Sequence, residues 1–310
     1  MDVFVTGGTG VLGRPVVRGL AAEGHRVRAL SRSESNDALL GRLGAEPVRG
    51  DLFDPAALAA AVAGSEAVLH LATRIPPRNR ATSPDAWREN HRIRIDGTRN
   101  LVDAALAAGA ATVLYPGICF VYGDAGDDWI DAETGSVQAG PMLASTLGAE
   151  EEVARFTAAG GRGIVLRMGY FYGPEAESSL DTLALARRGA AVLAGPGDAF
   201  YPSIWVDDAA SAVIAALRSA PAGIYDVVDD DPLPRRELAR AVAEAAGRPF
   251  VLRPPMWLIK IVGGRQAEFM GRSQRVSNHR FRAATGWSPS VRDARHGWHR
   301  IAEALRQPQG

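Results

Sequence analysis

Cysteine is almost missing from this sequence of 310 residues. The single cysteine, Cys119, cannot form a disulfide within the chain, which is typical of proteins from a reducing compartment. The chain begins directly with the apolar residues of a predicted strand, without the basic stretch and cleavage site of a signal peptide. No segment approaches the about 20 apolar residues of a membrane-spanning helix. We therefore expect a cytoplasmic protein with no membrane partner.

A net charge is missing as well. Lys and Arg together number 35, and Asp and Glu also number 35, so the formal charges cancel. Domains that bind nucleic acids usually carry a concentrated basic surface, so we predict no nucleic-acid partner. His296 and His299 have the i, i+3 spacing of a helix face, but the sequence offers no third ligand beside them. We therefore predict no metal site.

Short apolar segments alternate with helical patterns over the first half of the chain. Strands are predicted at residues 3–6, 25–30, 47–48, 67–71, 112–115, 163–167 and, further on, 224–228. Helices are predicted at residues 11–22, 56–63, 84–108, 142–158, 179–188, 207–218, 233–246 and 291–305. Strands that alternate with helices form parallel sheets that helices cover on both faces. The pattern loosens beyond about residue 173, which favours a second, smaller and mixed α/β part.

A glycine-rich turn follows the first predicted strand. Gly7, Gly10 and Gly13 have the spacing GxxGxxG and lead directly into a helix. Small residues there permit a tight turn, a close approach of backbone amides to phosphates, and close packing of helix on strand. A phosphate loop of the ATPase kind is excluded, because Arg14-Pro15 stands where Lys-Ser/Thr is required. The turn therefore predicts a cradle for the pyrophosphate of NAD(P), formed by Thr6, Gly7, Gly10, Val11, Leu12 and Gly13.

This turn completes the predicted fold class, an α/β fold with a Rossmann-type doubly wound parallel sheet and a smaller C-terminal mixed α/β substrate domain. We place the NAD(P)-binding domain at residues 1–173, with returning segments near 200–230. Residues 174–306 are predicted to form mainly the substrate-binding domain. A homodimer through the helices near 85–108 and 142–158 is a further expectation.

The second strand indicates which dinucleotide is preferred. An acidic residue at its end would hold the ribose hydroxyls of NAD, but this sequence has Arg32 there. A guanidinium suits the additional phosphate of NADP, and Arg14 is placed to assist. We predict NADP as the preferred cofactor and NAD as the alternative. Asp51, after the third strand, is a candidate partner for the adenine amino group.

Several motifs resemble the extended short-chain dehydrogenase/reductases, the NAD-dependent epimerase/dehydratase group. They are the glycine turn, Gly50-Asp51-Leu52, Leu69-His70-Leu71-Ala72, Gly97-Thr98-Arg99-Asn100-Leu101, Val121-Tyr122-Gly123, the segment 166–174, the segment 204–210 and Gly286-Trp287. The resemblance keeps its order over nearly the whole chain. It implies an oxidoreductase that acts on a small organic molecule. It also implies cofactor contacts from Asp51, Leu52, Leu71, Ala72, Thr73 and Tyr170.

The resemblance fails at the catalytic positions. The family usually has a Ser or Thr four residues before the tyrosine of the Tyr-Gly pair, where this sequence has Ile118. The tyrosine and lysine of its Tyr-x-x-x-Lys motif fall on Met142 and Thr146, and the asparagine of its long helix falls on Arg94. In the family the tyrosine is the general acid/base, and the lysine lowers its pKa and holds the ribose. Such a group contributes about 10²–10⁴-fold in rate, so its loss should impair ordinary ketone reduction.

The departure leaves three interpretations open. In the first, the protein is a dehydrogenase or reductase with substitute catalytic residues, for which Tyr122 leads and Tyr172 and Cys119 follow. The second is a redox-neutral cyclase, dehydratase, lyase or isomerase. The third is an NADP-binding sensor without catalysis.

The predicted substrate pocket is formed by Ile118, Met142, Thr146 and Trp205, with Phe120 as a further apolar neighbour. Tyr122, Asp124, His70 and Arg94 are the polar groups that could assist a substrate there. For His70, a place beside the cofactor without a catalytic role is the simpler interpretation. For Arg94, the simpler interpretation is a solvated or salt-bridged position on a helix.

Overall fold

The computed structural model describes residues 1–77, 80, 83–190, 195–252, 261, 269 and 271–306. The strands of its main sheet are β1 (Asp2–Thr6), β2 (Arg26–Ser31), β3 (Glu46–Arg49), β4 (Ala67–His70), β5 (Thr112–Ile118), β7 (Arg162–Met168) and β11 (Gly223–Val227). Short strands outside it are β6 (Trp129–Ile130), β8 (Tyr170–Tyr172), β9 (Phe200–Tyr201), β10 (Ser203–Trp205), β12 (Leu233–Pro234) and β13 (Arg275–Val276). The main sheet has seven strands in the order β3-β2-β1-β4-β5-β7-β11, all parallel. This is the doubly wound order of Rossmann folds with one additional strand, which confirms the predicted fold class.

Helices cover both faces of this sheet. One face is covered by α1 and α8 and the other by α3, α5 and α6. The helices of the described ranges are α1 (Gly13–Ala22), α2 (Glu34–Arg42), α3 (Pro55–Val62), α4 (Arg88–Arg92), α5 (Thr98–Ala107), α6 (Ala144–Ala158), α7 (Glu177–Arg187), α8 (Val206–Ser219), α9 (Arg235–Ala245), α10 (His279–Thr285) and α11 (Ala294–Ala304). Local sequence explains several helix starts. The Asp54 carboxylate accepts the amides of Ala56 and Ala57, and Pro55 occupies the first turn of α3.

The inner strands β1, β4, β5 and β7 are buried on both faces, and alternate residues point to opposite sides. Val3 and Val5 belong to the apolar core under α1 and α8, whereas Phe4 belongs to the core under α3, α5 and α6. Burying each such side chain contributes about 1.5–3 kcal/mol before entropy is subtracted. This double burial explains why the strands of the sequence are continuous apolar runs.

The long helix predicted over residues 84–108 is not uniform. It begins with a 3₁₀ turn (Pro84–Trp87), continues as α4, passes through a π turn (Ile93–Gly97) and ends as α5. Gly97 lies against Leu52, where a Cβ on the glycine would be only 2.5 Å from Leu52 Cδ2. π turns are rare and often occur at functional sites.

The C-terminal part has its own apolar core. Tyr172, Trp205, Leu238, Trp298 and Ile301 are among its buried members, contributed by β8, β10, α9 and α11. β11, at residues 223–227, returns to become the last strand of the main sheet. The division into residues 1–173 and 174–306 stays a prediction.

Some boundaries differ from those predicted. β5 runs three residues beyond Tyr115 to Ile118, and α6 begins at Ala144 rather than Met142. Neither α2 nor α10 is among the predicted helices. Within the described ranges, no helix is long and apolar enough to cross a membrane.

Candidate functional site

The glycine turn lies between the end of β1 and the start of α1, beside the backbone of residues 71 and 72. Gly7 has a φ of +73°, and a Cβ there would lie 2.5 Å from the Ala72 nitrogen. A Cβ on Gly13 would lie 2.0 Å from the Gly7 carbonyl oxygen. The first turn of α1 carries no acidic residue and no side-chain cap, so its amides face outward with the positive end of the helix dipole. These residues fit a dinucleotide pyrophosphate.

The turn stands at the point where the strand order reverses, between β1 and β4. Thr6 and His70 are register partners at the ends of these strands, and Ile118 and Met168 are partners at the ends of β5 and β7. Ligands of doubly wound sheets bind outside these carboxyl ends. The fold therefore brings the glycine turn and Ile118, a residue of the predicted substrate pocket, to one edge of the sheet.

Two arginines flank the predicted adenine end. Arg32 is exposed at the end of β2 and has no ion-pair partner in the described part of the chain. Arg14 is half-buried, and its Nε finds no hydrogen-bond partner there. Asp51 is exposed and accepts the Phe53 amide at 3.0 Å, while Leu52 is buried against Gly97.

His70 is held as a neutral side chain under the turn. Its Nδ1 lies 2.7 Å from Thr6 Oγ1, and its Nε2 lies 3.3 Å from the Ile93 carbonyl oxygen. Since a carbonyl only accepts, Nε2 donates to Ile93 and Nδ1 accepts the Thr6 hydroxyl. Burial lowers the pKa of His70 to about 4, so it carries no charge at neutral pH. The histidine links β1 and β4 to the start of the π turn.

The segment after β4 closes the other side of the turn. The Leu71 amide donates to the Thr6 carbonyl at 3.0 Å, Ala72 backs Gly7, and Thr73 is exposed. Tyr170, another predicted cofactor contact, is half-buried, and its ring lies 5.7 Å from the ring of Tyr201.

Phe120 extends this aromatic surface, because its ring lies 5.2 Å from that of Tyr201. Ile118 is half-buried at the end of β5, Met142 is half-buried in the turn before α6, and Thr146 is fully buried within α6. Trp205 lies elsewhere. It packs edge-on against Tyr172 in the C-terminal core, and its Nε1 donates to Asp207 at 3.2 Å, so its predicted place in the pocket does not fit.

The structure argues against the predicted substitute for the catalytic tyrosine. Tyr122 is fully buried, and its hydroxyl donates to Asp226 at 2.8 Å and accepts from Arg167 at 3.1 Å. Arg167 in turn binds both carboxylate oxygens of Glu150. Burial and the nearby Asp226 raise the pKa of Tyr122 far above its ordinary value. A hydroxyl so engaged is not placed to exchange protons with a substrate.

The two weaker candidates are buried as well. Tyr172 donates to Asp229 at 2.8 Å within the C-terminal core, and burial raises its pKa. Burial also raises the pKa of the Cys119 thiol well above its ordinary range, which opposes formation of a nucleophilic thiolate. We therefore assign neither residue a catalytic role.

The environment of Arg94 differs from the simpler interpretation of its sequence position, which was a solvated or salt-bridged place on a helix. Arg94 is neither solvated nor salt-bridged, because only 5 % of it is exposed and no carboxylate in the described ranges pairs with it. Its Nε and Nη1 are buried and have no hydrogen-bond partner among the described residues. Asn90 on α4 and Tyr115 on β5 are further buried polar residues that were not among the predicted site residues, and Asn90 Nδ2 has no hydrogen-bond partner in the described ranges. The spacing of Asn90 and Arg94, four residues apart on one helix, is a signal that could have found the pair.

Comparison with known proteins identifies the family of this chain. The model of the NAD dependent epimerase/dehydratase family matches residues 3–227. The chain belongs to this family. It is 33% identical over 305 residues to a 3-diazoavenalumate denitrifying reductase of a Streptomyces species, covering 96% of this chain and 99% of that one. It is 31% identical over 266 residues to a 2-alkyl-3-oxoalkanoate reductase of Stenotrophomonas maltophilia, covering 81% and 77%.

Solved structures agree on the fold. The human epimerase family protein SDR39U1, solved with NADPH, superposes with a TM-score of 0.81 over 98% of this chain and 99% of that one, at 24% identity. The family model thus confirms the family resemblance and the cofactor class, NAD(P), and the solved structure confirms the fold. The protein is an oxidoreductase of the short-chain dehydrogenase/reductase type, as its reductase relatives show. This favours the reductase of the first interpretation, although none of its three substitute residues is placed for catalysis.

Proposed function

We propose that this protein is an NADPH-dependent reductase whose acceptor needs no proton from the enzyme, specifically a diazo group on an aromatic acid. The carrying observation is the chemistry of Ile118, Met142 and Thr146, none of which can act as the missing tyrosine-lysine pair. Similarity over almost the whole length to a denitrifying reductase of a diazo acid supports the proposal.

The acceptor chemistry suits such a site. When bound, NADPH supplies a hydride, and an aryl diazonium ion plus hydride gives the arene plus neutral N₂, so the overall equation balances without an enzyme acid. A ketone differs, because its oxygen gains negative charge and requires a proton or a hydrogen-bond donor. Ile118 and Met142 provide an apolar surface that excludes water from the reacting carbon.

The aromatic surface supports an aromatic acceptor. Phe120, Tyr170 and Tyr201 are half-buried. The ring centroid of Tyr201 lies 5.2 Å from that of Phe120 and 5.7 Å from that of Tyr170. Such rings contribute about 0.5–1.5 kcal/mol per contact beyond the area that they bury. They offer a flat substrate a face next to Ile118.

The preference for NADPH rests on Arg32 and Arg14. Both lie near the predicted ribose end without an ion-pair partner in the ranges that the structure describes. A phosphate at that end would meet two guanidinium groups, whereas NADH offers them no anion.

The test uses purified protein, NADPH deuterated at C4 and a hydroxyaryl diazo acid. We expect loss of absorbance at 340 nm, release of N₂, and deuterium at the carbon that carried the diazo group. A 2-alkyl-3-oxoalkanoate serves as the comparison acceptor. Reduction of this ketone with no consumption of the diazo acid would refute the proposal and favour ordinary carbonyl chemistry.

Two further expectations belong to this proposal. A homodimer would use α4, α5 and α6, whose outer faces carry ion pairs such as Arg155–Asp103, and light scattering in solution measures it. A cytoplasmic location stays a prediction, which fractionation of the native cells addresses.

A further inference from the structure

Arg94 is a buried cation that has no carboxylate partner among the residues described by the structure. Its residue lies in the π turn between α4 and α5. Glu150, a carboxylate that acts on the Tyr115 hydroxyl as Arg94 does, is bound at both oxygens by Arg167. Glu150 is therefore not available to neutralise Arg94. An uncompensated charge in a protein interior is strongly unfavourable unless a partner is supplied.

Two contacts place Arg94 opposite Thr146. His91 Nδ1 lies 2.8 Å from Ser145 Oγ, and a Cβ on Gly148 would lie 3.5 Å from Ile95 Cγ1. Arg94 lies between His91 and Ile95 along its helix, just as Thr146 lies between Ser145 and Gly148 along α6. The two helices therefore touch at the level of Arg94 and of Thr146, the position that would hold the lysine of Tyr-x-x-x-Lys.

The Tyr115 hydroxyl provides an independent marker of the same place. Burial raises the pKa of Tyr115, while the charge of Arg94 and the hydroxyl of Thr146 both oppose that increase. Arg94 and Thr146 thus approach one hydroxyl from two helices. The hydroxyls of Tyr115 and Thr146 are both buried and approach each other, and neither has another hydrogen-bond partner in the described part of the chain.

Asn90 adds a further donor on the same helix face. Its Oδ1 accepts the Arg74 amide at 2.8 Å, whereas its Nδ2 is buried with no acceptor among the described residues. Residues four apart on a helix lie on one face, so Asn90 and Arg94 point to the same side. The cluster consists of Asn90, Arg94, Tyr115 and Thr146, and it offers several donors, one positive charge and no carboxylate.

We propose that this cluster binds the carboxylate of the organic-acid substrate, with Arg94 as its counter-ion. The inference rests on the proposed function as a reductase of a small acid and names the group by which that acid is recognised. A carboxylate accepts several hydrogen bonds and neutralises a guanidinium, which a hydroxyl or an amide does not. The cofactor phosphates have their own cradle at the glycine turn, so the anion belongs to the second ligand.

The experiment compares an acid with its uncharged analogue. Cinnamate and cinnamamide are titrated by calorimetry into the protein saturated with NADP⁺, for the wild type, Arg94→Met, Arg94→Lys and the control Arg88→Met. Arg88 is on the same helix but exposed and paired with Asp85. We expect the wild type and Arg88→Met to bind cinnamate at least about tenfold more tightly than the amide, Arg94→Met to lose this preference, and Arg94→Lys to keep part of it.

A second readout separates binding from a structural role. Without ligand, Arg94→Met should melt at a higher temperature than the wild type, because an apolar side chain replaces an unpaired buried charge. Arg94→Gln gives the same binding comparison should the methionine variant not fold. These measurements do not depend on turnover. The proposed diazo reduction and the proposed carboxylate binding can therefore fail separately.

Three results would overturn the proposal. The first is equal affinity of the wild type for acid and amide, or no binding of the acid. The second is an unchanged preference for the acid in Arg94→Met and Arg94→Gln. The third is a loss of NADP⁺ affinity in these variants while their affinity for 2′,5′-ADP and their preference for cinnamate stay unchanged. That result would place the guanidinium at the nicotinamide ribose.

Discussion

At the scale of single residues, the Tyr122 hydroxyl joins a carboxylate to a guanidinium inside the protein. It donates to Asp226 and accepts from Arg167, both of which are buried. Tyr122→Phe should therefore lower the free energy of unfolding by about 1–3 kcal/mol, because two buried polar groups lose a partner. NADPH affinity should not change. Urea unfolding and a fluorescence titration measure the two quantities.

Tyr225→Phe is the matched control for this substitution. Its hydroxyl makes a single longer bond, 3.2 Å, to the Pro221 carbonyl, so we expect a smaller loss of stability. Abolished turnover in Tyr122→Phe with unchanged stability would contradict the structural role and restore Tyr122 as a catalytic acid.

Arg32 carries the predicted discrimination between the two dinucleotides. Arg32→Ala should weaken NADPH binding about 10–100-fold and leave NADH binding nearly unchanged, because it removes a charge-assisted hydrogen bond to phosphate. Dissociation constants from fluorescence titration check this result. Arg42→Ala, an exposed arginine in the last turn of α2, is the control. Equal losses for NADPH and NADH would show that Arg32 does not bind the phosphate.

At the scale of elements, the strand-turn-helix unit of β1 and α1 depends on its glycines. Gly13→Ala would bring a Cβ to 2.0 Å from the Gly7 carbonyl oxygen. The turn must open to accept it, which costs about 1–3 kcal/mol of stability and displaces the amides that face the pyrophosphate. We expect a lower melting temperature and much weaker NADPH binding.

Gly41→Ala provides the control for Gly13→Ala. Gly41 is helical in α2, and nothing lies within 4 Å of a Cβ placed there. An alanine should stabilise this helix by up to about 1 kcal/mol without an effect on the cofactor. Wild-type NADPH affinity in Gly13→Ala would show that the cradle does not bind the dinucleotide.

The elements also show where sequence patterns stop being informative. Glycine spacing and a preceding apolar run predicted β1, the turn and α1, because their conformations are dictated locally. The π turn was not predictable, since the residues 84–108 have an ordinary helical periodicity. It forms where Gly97 meets Leu52 and where His70 binds the Ile93 carbonyl, and both contacts come from distant parts of the chain. Arg94 is buried as a result of this tertiary packing.

At the scale of the whole molecule, the alternation of strands and helices predicted the sheet because burial on both faces produces continuous apolar strands. The candidate site was predicted only in part. The positions of Ile118, Met142 and the glycine turn could be predicted, because they follow from the order of the motifs along the chain. The burial of Tyr122 could not be predicted, because its partners Asp226 and Arg167 lie on the distant strands β11 and β7. The sequence around Tyr122 would be the same whether its hydroxyl were free or bound.

This network, which joins α6, β7 and β11, should make stability depend on pH. Burial raises the pKa of Asp226 from 3.8 to about 7, against the opposing effects of Tyr122 and Arg167. Between these two values the folded protein keeps a proton that the unfolded chain releases. The contribution of Asp226 to the free energy of unfolding therefore falls as pH rises from about 4 to about 7, by up to about 1.4 kcal/mol per pH unit, and is constant above.

Asp226→Asn removes the titrating group and should remove this slope. In urea unfolding between pH 4.5 and 8.5, the stability of the wild type relative to Asp226→Asn should decrease up to about pH 7 and then level off. Asp51→Asn, which replaces an exposed carboxylate, corrects for the general effect of one fewer acidic side chain. Parallel pH profiles of the wild type and Asp226→Asn would mean that Asp226 ionises alike in the folded and unfolded states. Its carboxylate would then be fully charged at pH 6, held by Arg167 and Tyr122, and the network would be an ordinary buried ion pair.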